Sequence, residues 1–331
     1  PYERDEILAI NASADALKRI YWLGFTTISS EYLSALDLHL TRLRVPFGWN
    51  ASSALRLLRS QTSQAVFDFN HVYRASATPA AAASSNPPAG NDCQNARCYG
   101  INLIGWSAAN RSCGQTVKIG MLDTAVDTTS PALTGQRVQT VTLAEQRRYE
   151  NSQHGTAVAS LIVGKAISSF SGLLPDAELY AADVFVSDDQ GEPYTSAVLM
   201  TRGLDWLSQQ NVAVVNISIT GPNNSVLRAA IHRLATQGKV IIAAAGNGGP
   251  EAPPAYPAAY PEALAVTAVD WRMRPYQRAN RGDYLTLAAP GVGIWTPAAD
   301  GSGLYHQGTS FATPYVTAVA AATLALQPTL Q

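Results

Sequence analysis

Gly308-Thr309-Ser310-Phe311-Ala312-Thr313-Pro314, running into the apolar stretch from Tyr315 to Leu326, decides how the rest of this chain is read. The pattern predicts a helix with one serine at its mouth. Gly308 lets the backbone turn with no side chain in the way, and Pro314 is expected in the first turn, where a missing N–H costs nothing. Outward-pointing N–H groups at such a helix start favour negative charge, so an oxyanion forming beside Ser310 would be stabilised there. Taken alone, the same residues also describe a capped helix start with no chemistry.

Working outward, Val117-Lys118-Ile119-Gly120-Met121-Leu122-Asp123-Thr124-Ala125-Val126-Asp127 reads as a short buried strand ending in an acidic loop. That places Asp123 at the carboxyl end of a strand, where the ligand crevices of open α/β sheets lie. His154-Gly155-Thr156-Ala157-Val158-Ala159-Ser160-Leu161-Ile162-Val163-Gly164 then sets a histidine at the start of an apolar helix. Each residue also has a purely structural reading, Asp123 as a turn or N-cap residue and His154 as a hydrogen-bonded helix residue. All of these would have to hold together. The order Asp, His, Ser in these contexts is that of subtilisin, and the chain resembles a subtilisin-like serine protease (subtilase) over roughly residues 115 to 326.

Further segments extend the resemblance. Val240-Ile241-Ile242-Ala243-Ala244-Ala245-Gly246-Asn247-Gly248 is similar to the family's strand and loop carrying the oxyanion-hole asparagine, which implies that role for Asn247 and substrate contact for Ala245 and Gly246. Asn216-Ile217-Ser218-Ile219-Thr220-Gly221 is similar to the segment that pairs with an extended substrate, which assigns substrate binding to Ser218, Ile219, Thr220 and Gly221. Thr220 and Ala255, the latter just before Tyr256-Pro257, stand where the family's open pockets commonly carry glycine. Either they narrow the pocket and favour Ala or Ser ahead of the cleaved bond, or loop shifts carry both away.

The resemblance implies an α/β fold, a subtilisin-like parallel sheet with helices on both faces, preceded by a small ferredoxin-like α+β prodomain. It implies a serine endopeptidase made as an autoprocessing zymogen. Ser310 would attack the peptide carbonyl, His154 would take and return the proton, and Asp123 would orient the imidazole. Asn247 and the Ser310 N–H would hold the oxyanion. His39, His71, His232 and His306 sit in no comparable motif and are assigned to surface or packing roles. A permanently self-inhibited binding protein and a dedicated processing protease with one protein partner are the competing readings.

The composition, 47% apolar and 14% charged with net charge -1, fits a compact globular enzyme, and the resemblance implies that it acts on protein or peptide substrates. It offers no basic field for nucleic acid or anionic lipid. A chain of 331 residues exceeds one ordinary core, so two domains are expected. The small-residue and proline run from Ala75 to Gly90 separates them. Residues 1–76 are read as a propeptide-like inhibitory and chaperone domain, 77–114 as a linker and Cys-containing connection, and 115–331 as the peptidase domain.

Within the first domain the expected order is strand (Glu6 to Ile10), helix (Ala14 to Leu23), strand (Leu36 to Val45), helix (Ala51 to Arg59), strand (Gln64 to Phe69). By the resemblance, Asn70 to Ser76 would be the inhibitory tail. Cys93, Cys98 and Cys113 lie close together away from the catalytic motifs, so a surface disulfide with one cysteine over is expected, and with it a secreted or periplasmic enzyme. No stretch is read as long enough to span a bilayer. No cofactor is expected. Gly164 to Leu174 lacks the family's Asn-rich calcium loop, and although calcium is possible, no ligand set is readable.

Overall fold

The computed structural model describes residues 1–61, 65–75, 78–79, 99–111, 115, 117–144, 148–167, 170–298 and 302–327. Cys93, Cys98 and Cys113, and with them the expected disulfide, lie outside the described residues. The N-terminal unit runs β1 (Tyr2–Ile10), α1 (Ala14–Trp22), β2 (Thr26–Leu33), β3 (Leu38–Arg44), α2 (Ala51–Gln61) and β4 (Val66–Ala75). Its strands pair antiparallel in the order β2-β3-β1-β4. Strand periodicity sends Ile7, Ala9, Leu43 and Phe67 to one face, against Ile20 of α1 and Leu55 and Leu58 of α2. Leu8, Ile10, Leu38 and Leu40 alternate with them and join a second core cluster shared with the rest of the chain. The domain is therefore packed on both faces of its sheet.

The sequence reading had no β2. Thr26-Thr27-Ile28-Ser29-Ser30-Glu31-Tyr32-Leu33 is an edge strand with only Leu33 buried, so it carries no alternating apolar face to read. With β2 the unit is β-α-β-β-α-β.

After β5 (Thr78–Pro79), α3 (Tyr99–Leu103) and α4 (Ala108–Arg111) come β6 (Lys118–Asp123), β7 (Val138–Thr142), α5 (Gln153–Val163) and β8 (Glu178–Asp183). Then follow β9 (Val186–Ser187), β10 (Pro193–Ser196), α6 (Ala197–Gln209), β11 (Val214–Ile217), β12 (Ile219–Thr220) and α7 (Ser225–Thr236). The chain ends its described part with β13 (Val240–Ala244), β14 (Ala263–Val269), β15 (Leu285–Pro290), β16 (Val292–Pro297), β17 (Gly303–Gln307) and α8 (Thr309–Leu326). Near-continuous apolar strands form a parallel sheet ordered β15-β14-β13-β11-β6-β8-β7. Such strands need cover on both sides. Helices α5 and α8 supply it on one face, where Ile119 and Met121 point, and α6 and α7 on the other, where Leu122 and Val215 point.

Chain order reverses about β6: β8 and β7 lie on one side of it, β11, β13, β14 and β15 on the other. This switch point is where an open parallel sheet leaves a crevice at its carboxyl edge. Asp123 is the last residue of β6.

Helix α8 begins at Thr309 after Gly308, whose φ of 141° no other residue type adopts readily. Pro314 is its sixth residue, inside the helix rather than in the first turn as expected. The N–H that Pro314 lacks would have bonded the Ser310 carbonyl. That carbonyl accepts instead from the hydroxyls of Ser218 at 3.2 Å and Thr313 at 3.0 Å. By length and composition α8 is apolar enough to cross a membrane, contrary to the sequence reading, yet 67% of it is buried inside the domain. It is the core helix of the sheet.

Candidate active site

The strand end, the helix start and the α8 mouth meet at the switch point. Asp123 is fully buried, and its Oδ1 faces Nδ1 of His154 at 2.5 Å while accepting from the Thr124 N–H at 2.7 Å. The close approach of α5 to the β6 loop depends on Gly155, since a Cβ there would overlap the Thr124 and Ala125 carbonyls. The Gly155 N–H donates to the Thr124 hydroxyl at 2.9 Å and fixes the helix start. An Nδ1–H held by a carboxylate leaves Nε2 as the basic nitrogen. That Nε2 is buried and has no hydrogen-bond partner among the described residues, and neither has Asp123 Oδ2.

Ser310 is buried in the first turn of α8. The next residue, Phe311, sets its ring edge-on to His154 with centroids 5.3 Å apart. Its ring also stacks on His306 at 4.6 Å. His306 is bonded to the Thr296 hydroxyl at 2.8 Å, and burial, helped by the charge of His154, pushes its pKa down to about 4. It is a neutral packing residue, as the sequence reading has it. Asn247 lies against the same turn, its Oδ1 accepting from the Thr309 N–H at 3.1 Å and hydroxyl at 3.2 Å. With Oδ1 so engaged, Nδ2 is the donor end of this side chain. The fold thus brings Asp123, His154, Ser310 and Asn247 to one place.

The residues read as substrate-binding divide by what they touch. Ile219 and Thr220 form β12, a strand edge, whereas the Ser218 side chain is a buried brace between Asn216 and α8. The backbones of Gly221 and Tyr256 exchange two hydrogen bonds of 2.9 Å. Gly246 donates to the Thr309 hydroxyl at 3.1 Å, and the Ala245 carbonyl accepts from the Tyr284 hydroxyl at 2.9 Å. Ala255 is half-buried in the loop ahead of Tyr256.

The edges beside the site are already occupied by this chain. Strand β4 leaves its own domain, pairs Val72 and Tyr73 with Ser196 and Thr195 of β10, and pairs Arg74 and Ala75 with Thr220 and Ile219 of β12, all antiparallel. Pairing resumes at β5, with Thr78 opposite Gln307 and Pro79 opposite His306 of β17, just ahead of Ser310.

Sequence reasoning missed the residues that dock the N-terminal unit. Asp205 accepts from the N–H groups of Ala35 at 2.9 Å and Leu36 at 3.1 Å. Asp68 accepts from the N–H of Ser225 at the start of α7, at 2.7 Å, and Asn70 from that of Val198 at the start of α6, at 3.3 Å. Asn224 caps α7 with its Oδ1, so its Nδ2 donates to the Phe69 carbonyl and to His71 Nδ1, each at 2.8 Å. Burial lowers the His71 pKa and keeps that nitrogen an acceptor. The one signal available in sequence was a set of Asp and Asn residues beside helix starts, which is not specific.

The model of the subtilase family matches residues 114–331. Subtilisin amylosacchariticus from Bacillus subtilis subsp. amylosacchariticus is 33% identical over 241 residues, covering 70% of this chain and 62% of that protein. The chain thus spans less than two thirds of that relative. Subtilisin from Bacillus pumilus is 33% identical over 241 residues, 70% of this chain and 86% of the relative. Among solved structures, fervidolysin from Fervidobacterium pennivorans, described as a keratinolytic enzyme related to subtilisin, superposes with a TM-score of 0.80 over 99% of this chain and 55% of its own. At 21% identity that match speaks to the fold alone.

Proposed function

Because the chain belongs to the subtilase family, we propose that it is a serine endopeptidase made as a zymogen, with residues 1–76 as its intramolecular inhibitor. The observation that carries this reading is the buried Asp123–His154 pair, whose open Nε2 lies beside the helix turn bearing Ser310. Ser310 Oγ attacks a peptide carbonyl while its proton passes to His154 Nε2. The imidazolium, stabilised by Asp123, returns that proton to the leaving amine. Water, deprotonated in turn by His154, hydrolyses the acyl-enzyme and restores Ser310. Asn247 Nδ2 and the Ser310 N–H hold the oxyanion in both steps.

The tail supports the zymogen part, since a strand laid along β12 on one side and β17 on the other is placed as a substrate would be. We assign the self-cleaved bond to Ser76–Ala77, midway between the two pairings. A serine ahead of that bond agrees with a pocket narrowed by Thr220 and Ala255 and with preference for small residues there. We place the enzyme outside the cytoplasm, secreted or periplasmic, on its cysteine pattern.

The test is fluorophosphonate labelling of the full chain, followed by mass mapping of both label and termini. The label belongs on Ser310 and the new terminus at Ala77, with both lost in Ser310→Ala. That loss of hydrolysis should be at least about 10⁴-fold. A wild-type chain that folds, stays intact and takes no label would instead be a self-inhibited binding protein.

A further inference from the structure

A net charge of -1 over the whole chain hides one strongly basic segment. Trp271-Arg272-Met273-Arg274-Pro275-Tyr276-Gln277-Arg278-Ala279-Asn280-Arg281-Gly282 holds four arginines and no acid, and all four arginines are exposed. Its first part is a tight turn after β14. The Asp270 carboxylate accepts from the N–H groups of Arg272 at 2.8 Å and Arg274 at 2.9 Å, and the Arg274 guanidinium closes on it at 2.7 Å. Asp270 and Arg274 are thereby spent on holding the turn. Arg272 lies over the Trp271 ring, 4.4 Å from its centroid, a face contact that leaves the guanidinium edge to other partners. Arg278 and Arg281 enter no ion pair among the described residues, although the exposed acids Glu251 and Asp283 border the segment.

The second part is built against the loop that carries Asn247. The Arg278 carbonyl accepts from the Gly249 N–H at 2.9 Å, and the Asn280 N–H donates to the Gly246 carbonyl at 3.0 Å. Asn280 Oδ1 accepts from the Gly248 N–H at 2.8 Å, while its Nδ2 donates to the Pro253 carbonyl at 3.1 Å. Asn280 is buried, and Arg278 and Arg281 on either side of it face solvent. The charges are therefore mounted on backbone that is bonded to both sides of Asn247.

We propose that Arg272, Arg278 and Arg281 form a docking surface for acidic polypeptide, so that the enzyme favours substrates with a run of Asp and Glu near the bond to be cut. This rests on the peptidase reading above. Guanidinium forks match carboxylates in bidentate pairs. Place decides for polypeptide over other polyanions: a chain whose reacting carbonyl lies at Asn247 passes beside this loop, so its carboxylates meet the arginines at high effective concentration. Nucleic acid would need a basic field over the whole molecule, which a net charge of -1 does not supply.

The test uses the self-cleaved full chain and one cleavable peptide flanked on both sides by short runs of Glu or of Gln. At low salt kcat/KM for the Glu peptide should exceed that for the Gln peptide by about tenfold, as three exposed pairs allow, and the ratio should fall towards one in about 0.5 M salt. The triple variant Arg272→Gln, Arg278→Gln, Arg281→Gln should lose the preference and cleave the Gln peptide as fast as the wild type does, which also reports its fold. Equal wild-type rates on the two peptides, or a preference that survives the triple substitution, overturns the proposal. A second arm needs no activity. The arginines are exposed with the tail in place, so Ser310→Ala full chain should bind a fluorescent poly-Glu peptide and not its poly-Gln counterpart, with Kd about tenfold higher in the triple variant. Tighter binding of a sulfated polysaccharide or of phosphatidylglycerol vesicles than of poly-Glu overturns the polypeptide reading. Failure to cleave any peptide counts against the peptidase reading, and the binding arm then decides the docking surface by itself.

Discussion

Two buried polar clusters in this molecule differ in how they are bonded. At the junction with the N-terminal domain, Asp68, Asn70, Asp205 and Asn224 all direct side-chain oxygens at backbone N–H groups of helix starts or turns. At the switch point of the sheet, Asp123 Oδ2 and His154 Nε2 are equally buried and have no partner among the described residues. A buried polar group left unpaired costs about 1–3 kcal/mol. The contrast sets side chains whose oxygens are spent on holding the two parts together against a carboxylate–imidazole pair whose outer atoms no described residue satisfies.

Perturbing each cluster sharpens the difference. After Ser310→Ala, the largest effect belongs to Asn247→Ala, which should lower kcat by roughly a hundredfold to a thousandfold with little change in KM, a range taken from the corresponding donor in subtilisin rather than derived from this geometry. A raised KM with kcat intact would move Asn247 out of the transition-state set.

Next is pH. The His306 pKa falls from 6.5 to about 4 in the folded protein, chiefly through burial. The unfolded chain then binds the extra proton between those values, so this contribution is complete above pH 6.5 and is lost as pH falls towards 4. Denaturant unfolding at pH 7 and pH 4 should show the wild type losing about 3 kcal/mol more than His306→Phe. Parallel losses in the two proteins would mean that His306 protonates without resistance.

Asp68→Ala strikes the docking cluster. It leaves the Ser225 N–H without its carboxylate and should weaken inhibition by the severed N-terminal domain about tenfold. Turnover of the released enzyme should stay as it was. If turnover falls instead, the two clusters are not separable. The smallest effect should come from chelation: with no Asn-rich loop in Gly164 to Leu174, EDTA is expected to shift the thermal midpoint by less than about 2 °C. A larger fall on EDTA would reveal a bound metal.

The catalytic half of this contrast was legible in the sequence because each member sits in its own contiguous motif. A strand end, a helix start and a glycine-led helix mouth each announce themselves over about ten residues. The docking half was not legible. Asp68 meets Ser225 and Asn70 meets Val198 across more than a hundred residues, and nothing near Asp205 in sequence says that it serves Ala35 and Leu36. Strand β2 escaped for a different reason, since a polar edge strand has no buried face to alternate. Pro314 was misplaced because the bond that it deletes is replaced by two side-chain hydroxyls, that of neighbouring Thr313 and that of Ser218 far away in the chain.

Removing β4 would uncover two bare strand edges, Pro193–Ser196 and Ile219–Thr220. Such edges recruit any extended backbone, including that of a denatured neighbour or another copy of the enzyme, and are a recognised cause of clumping. In an active enzyme the guest is cut and departs, so turnover itself keeps the surface clean. A mature form carrying Ser310→Ala has no such means of clearing itself. Its solubility, rather than its fold, is where the loss of one hydroxyl should be felt over days of storage.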